Sequence, residues 1–156
     1  MVATLRQFHP YEEVPFDLYP LTPVPDLDAG VGRRVVLDQP ATVGSIGELL
    51  KKHLRINRLK MTNPERTVGV VGFVPGSGAD LIDTAIREAG CELFVTGEMK
   101  HHAALRAELM GCSIILTGHT NSERGYLPVL RERLTERVEE VEFIISKMDR
   151  SRFEVI

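Results

Sequence analysis

Gly90-Cys91-Glu92-Leu93-Phe94-Val95-Thr96-Gly97 is followed 21 residues later by Gly111-Cys112-Ser113-Ile114-Ile115-Leu116-Thr117-Gly118. Each stretch reads as a short apolar strand that stops at Thr-Gly. Groups able to bind a metal or move a proton follow each stop. They are Glu98, His101 and His102 after the first, and His119 and Glu123 after the second. In an open α/β sheet, ligands bind outside the carboxyl ends of the strands. Three of the chain's five histidines fall at that predicted edge.

Working outward, Val68-Gly69-Val70-Val71-Gly72-Phe73 is a nearly continuous apolar run. That pattern suits a strand covered on both faces. Pro75-Gly76-Ser77-Gly78 turns the chain into a helix predicted over 79–89. Strand 92–96, helix 99–109, strand 113–117, helix 121–136 and strand 141–146 continue the series. Upstream, Arg33–Leu37 reads as a strand and 41–54 as a helix with Thr42 or Ser45 as its cap. The alternation predicts an α/β fold, a layered and mostly parallel sheet with flanking helices. Pro128 should kink the last long helix or delay its start. The tail 152–156 suits an edge strand. The aromatic, proline-rich segment 1–22 has three prolines in eleven residues, which forbids a long helix there. Residues 23–32 read as a linker.

The chain has 156 residues, 43% of them hydrophobic and 26% charged, with net charge −3. One domain with a small appendage fits that length. Acids and bases are mixed, so no basic footprint points to nucleic acid. The apolar runs are too short to cross a bilayer. The start lacks a signal-peptide layout. Cys91 and Cys112 read as reduced, buried thiols, and a cytoplasmic protein is expected. The basic stretch Lys51, Lys52, Arg55, Arg58, Lys60 reads as a solvated helix end.

His119 sits at the mouth of the turn after Gly118. Glu123 shares a helical side with Leu127, Leu130 and Leu134, so its carboxylate is expected to face inward and to need a partner. A divalent cation shared with His119 would supply one. Thr120-x-x-Glu123 also matches a capping box, which accounts for the glutamate without a metal. His102 aligns with Leu105 and Leu109 and is expected to face inward. It and Glu98 are candidates for proton transfer, although Glu98 also suits a helix N-terminus. The Gly76-Ser77-Gly78 turn could cradle an anion, but it lacks the Walker lysine and the dinucleotide spacing.

Thr96-Gly97-Glu98-Met99-Lys100-His101-His102-Ala103 and Thr117-Gly118-His119-Thr120-Asn121-Ser122-Glu123-Arg124-Gly125 resemble the C-terminal half of the Nif-three-like dinuclear metal-centre family. Bacterial members are described as homologues of GTP cyclohydrolase type I, class two. His9-Pro10-Tyr11-Glu12-Glu13, with Asp17-Leu18-Tyr19-Pro20-Leu21 and Gly30-Val31-Gly32-Arg33, resembles the exit of the small α+β, PII-like insert of some members. The resemblance implies a remnant of that insert over 1–29 and the C-terminal lobe over 30–156. It implies two divalent metals (zinc, iron, manganese or magnesium) between two lobes, and a toroidal hexamer. His119 and Glu123 match the family's C-terminal metal ligands. The family's other ligands, a His-His element and a later His/Asp element, belong to a first lobe that this chain does not contain. A fragment, a split product and a natural short form all fit that departure.

Two side-chain ligands are few for a dinuclear centre, so weak metal occupancy is expected. Three functions stay open. One is a metal-dependent hydrolase acting on a small, nucleotide-like molecule. Another is a non-enzymatic metal-binding or assembly module. The third is a regulatory small-molecule binder.

Overall fold

A computed structural model of the chain describes residues 2–19 and 29–148, without the side chains of Val2 and Ala3. The chain divides into two compact units, Met1–Gly30 and Val31–Ile156. In the first unit, helix α1 (Val2–Phe8) ends before Pro10, as the missing N–H of proline requires. The Arg6 guanidinium lies 5.6 Å from the centre of the Phe16 ring.

The second unit is built on a five-stranded mixed sheet of order β1-β3-β4-β5-β2. Its strands are β1 (Arg33–Thr42), β2 (Lys60–Met61), β3 (Thr67–Ser77), β4 (Leu93–Glu98) and β5 (Ser113–Leu116). The central strands β3, β4 and β5 run parallel. Both edge strands are antiparallel to their neighbours. Central strands that alternate Val, Leu, Ile and Phe can bury both faces, and these do. Leu93, Val95, Ile115, Val68 and Val71 face one core, with Val43 and Ile46 of α2 (Val43–Leu54) over them. Phe94, Ile114, Cys91 and Cys112 face the other. That second core is covered by α3 (Ile82–Arg87) and α4 (His101–Leu109), through Ile82, Ala85 and Ala107. Burying a side chain such as Phe94 or Leu93 contributes about 1.5–3 kcal/mol.

Both cysteines are free and buried. Burial pushes the Cys112 thiol up to about 12, and the neighbouring Cys91 adds to the shift.

Several boundaries differ from the sequence reading. The first strand runs on to Thr42, because Ala41 and Thr42 pair with Val68 and Thr67. The following helix therefore starts at Val43 rather than at 41. Thr42 caps it, accepting a hydrogen bond from Ser45 N at 3.1 Å. The predicted helix 79–89 opens as a 3-10 turn over Ala79–Leu81 and closes at Arg87. The predicted helix 121–136 is two helices, α5 (His119–Arg124) and α6 (Leu127–Arg137), with Pro128 in the first turn of the second. There its fixed φ and missing N–H cost nothing. The predicted strand 141–146 does not form. Residues 141–146 have no regular structure, and Val141 and Ile144 are 49% and 80% exposed. The predicted tail strand 152–156 lies outside the described residues, as does most of the 23–32 linker.

Candidate functional site

Parallel pairing of β4 with β5 sets Thr96 beside Leu116, so the two Thr-Gly stops leave the sheet side by side. Thr117 N donates to Thr96 O at 3.0 Å, and Gly118 N donates to Gly97 O at 2.8 Å. Glu98 is the last residue of β4 and His119 the first of α5, so sheet register alone brings them together. His119 Nδ1 lies 2.9 Å from Glu98 Oε1. On the other side of the ring, Nε2 lies 3.3 Å from Glu123 Oε1, one helical turn away. The side chains of His119, Glu98 and Glu123 are 46%, 59% and 52% exposed.

An ionised carboxylate only accepts hydrogen bonds, so Glu98 fixes the proton on Nδ1. The Nε2 lone pair of a neutral ring then faces a second carboxylate oxygen. Two acceptors at that distance repel each other unless positive charge lies between them. A proton is one such charge, and the His119 pKa is accordingly raised. The hydrogen bond that His119 donates to Glu98 is the main cause, with the charges of Glu123 and Glu98 adding to it against partial desolvation. A divalent cation is another. An imidazole nitrogen and a carboxylate oxygen 3.3 Å apart are donor types that one such cation could accept together. The pair therefore fits a metal as two of its ligands. Among the described residues, no group of three or more His, Cys, Asp or Glu is arranged to hold one.

Two glycines make room for this arrangement. Gly76 has φ 68°, and a β-carbon there would lie 2.5 Å from Glu123 Oε1 and 3.3 Å from His119 Nε2. A β-carbon on Gly97 would meet Gly76 O at 2.6 Å and His119 Cα at 2.8 Å. Ser122 ties the parts together. Its Oγ donates to His119 O at 2.6 Å and accepts from Gly76 N at 2.8 Å. Sequence reasoning missed Ser122, and also Asn121, whose Nδ2 donates to Thr117 O at 2.9 Å. Both lie in the Thr117–Gly125 stretch that carries the family resemblance, but that stretch gave neither of them a role.

Four site readings need correction. Glu123 does not cap its helix, because α5 starts from Gly118 without a side-chain cap bond. Nor does Glu123 lie on an inward stripe with Leu127, Leu130 and Leu134, since Glu123 and Leu130 are exposed and Leu127 and Leu134 only half-buried. His102 is exposed rather than inward, as are Leu105 and Leu109. Its ring lies 5.8 Å from that of His101, and it forms no hydrogen bond or ion pair with Glu98, His119 or Glu123. The glycine turn is also no free anion cradle, because Gly76 N donates to Ser122 and Gly78 N donates to Thr96 Oγ1 at 2.9 Å.

Comparison with known proteins agrees with this architecture. The family model described as Duf34/NIF3 (NGG1p interacting factor 3) matches residues 3–152. NIF3-like protein 1 of Homo sapiens is 32% identical over 136 residues, which is 83% of this chain and 35% of that protein. The GTP cyclohydrolase 1 type 2 homolog of Clostridium perfringens is 35% identical over 133 residues, 84% of this chain and 50% of that protein. The crystal structure of a Bacillus cereus protein related to NIF3 superposes with TM-score 0.69 at 26% identity, over 99% of this chain and 43% of that one. The chain thus spans half or less of the length of these relatives. Fold, register and the extent of the match lead to one assignment: the chain belongs to the Duf34/NIF3 family.

Proposed function

We propose that this chain supplies one half of a divalent-metal site. His119 and Glu123 are its ligands, Glu98 is a positioning residue, and further ligands come from another lobe or another chain. The observation that carries this reading is the Nε2–Oε1 approach of 3.3 Å, with Nδ1 already engaged by Glu98. A bound divalent cation would acidify a coordinated water and polarise a substrate oxygen. The residues present would hold the imidazole in one tautomer, keep a carboxylate beside it, and accept a proton when the cation leaves. Relatives named as GTP cyclohydrolase homologues suggest a hydrolase acting on a nucleotide-like small molecule.

A second reading is an assembly or metal-binding module without catalysis. It is favoured by the lack of a third ligand among the described residues. A homo-oligomer, a hexamer by resemblance, would bring further copies of the half-site together. Two free thiols fit a reducing compartment, and on that ground we place the protein in the cytoplasm; cell fractionation that recovers it elsewhere would refute this.

The test is metal analysis of the purified chain beside His119→Ala and His102→Ala. The expected result is bound metal in the wild type and in His102→Ala, with loss in His119→Ala. Equal metal in all three proteins, or none in any, removes the half-site. Incubation of the metal-loaded chain with GTP, followed by chromatography, separates the hydrolase from the assembly module.

A further inference from the structure

A second feature lies at the same sheet edge, on the side covered by α2. A cleft of about 290 Å³ opens between the end of α2, the last residues of β3 and β4, and α5. Its walls are Leu50, Leu54, Phe73, Val74, Pro75 and Val95. Thr96, Thr117 and Ser122 also line it, but their hydroxyls are already engaged. Thr96 Oγ1 donates to Gly76 O at 3.2 Å, Thr117 Oγ1 donates to Thr96 O at 3.3 Å, and Ser122 is tied to His119 and Gly76. The remaining lining residue is His53, whose ring is bonded to none of the described residues.

We propose that this cleft binds an uncharged, planar ring system of one or two fused rings, and that His53 supplies its polar contact. None of the lining residues is Asp, Glu, Lys or Arg. A charged occupant would therefore lose water without gaining a partner. The engaged hydroxyls offer little to a strongly polar one. Apolar and aromatic walls with one convergent polar group form the usual small-molecule site, and the volume lies at the lower end of the range for such sites, about 300 Å³. Ser122 is the wall shared with the His119–Glu123 pair. A ring held here would therefore present its substituents toward that pair. This orientation rests on the metal half-site reading, whereas binding of the ring does not.

The probe is indole, titrated into the full chain and followed by NMR, with indole-3-acetate as the charged control. Expected are saturable shifts at Leu54, Phe73 and His53, weaker binding of the acetate, and a Kd raised roughly tenfold or more in Leu54→Trp. Leu50→Phe, a smaller intrusion, should weaken binding in the same direction, so the outcome does not hang on one variant folding. Binding should survive chelator treatment and Glu123→Gln. Metal retained in His119→Ala, with indole binding intact, would count against the half-site alone. Absence of saturable binding, or equal affinity in both cleft variants, overturns the ring site. It is overturned as well if Leu54→Trp dissociates a dimer and the wild-type monomer takes up no indole, because the occupant is then a second copy of the chain.

Discussion

Glu98 and His119 lie 21 residues apart in sequence and 2.9 Å apart in space. Their meeting follows from the pairing of two strands that stop at the same depth. In Glu98→Gln the hydrogen bond persists in altered form but its charge is lost. The His119 pKa should then fall toward the ordinary histidine value of 6.5, as followed by NMR of the ring protons. Metal affinity should fall about 10–100-fold, the usual cost of losing a carboxylate behind a ligating histidine.

The pH dependence of the metal-free chain has a defined sign. His119 has a folded pKa above its unfolded value of 6.5. Its contribution to stability is therefore fully present below 6.5 and is lost as pH rises through the folded value. Thermal melts across that window should show a decline that is flatter in His119→Gln. Metal binding runs the opposite way. Below the folded pKa, each proton displaced weakens affinity about tenfold per pH unit.

Gly76→Ala should harm the site more than the fold. Its φ of 68° disfavours any β-carbon, at about 1–2 kcal/mol. The added methyl would also displace the Glu123 carboxylate. Denaturant melts should show the modest stability loss, and calorimetry a disproportionate loss of metal affinity. Unchanged affinity would mean that Glu123 does not need its seat over Gly76.

Thr42→Ala removes the side-chain acceptor that caps the start of α2, the partner of Ser45 N. Loss of such a cap costs about 1 kcal/mol. Chemical denaturation should show this loss without any change at His119.

The central sheet was legible because its apolar runs are short, continuous and bounded by glycine. Such a pattern admits few alternatives to buried parallel strands. The position of His119 and Glu98 at the strand ends was legible for the same reason. Side-chain direction was less so. His102 looked inward by helical phase, but α4 buries little beyond Ala107, and its leucines at 105 and 109 stay exposed. Glu123 looked like a cap or a core-facing acid because a single helix was drawn through Gly125. Proline could be placed at the start of the second helix by its chemistry, but the break before it could not be timed. The segment 141–146 pairs with no strand among the described residues, and its Val141 and Ile144 stay exposed. The role of Ser122 depends on a contact 46 residues away in the chain, with Gly76, and no local pattern encodes it.

The two native thiols have a practical consequence. Cys91 and Cys112 lie inside the second core, and burial keeps the latter's proton in place up to about 12. Maleimides and spin labels react with the thiolate, so near neutral pH they will pass both residues by. One cysteine introduced beside His53 would then be tagged alone in the otherwise unaltered chain, and an optical or magnetic reporter could be stationed at the mouth of the α2 cleft.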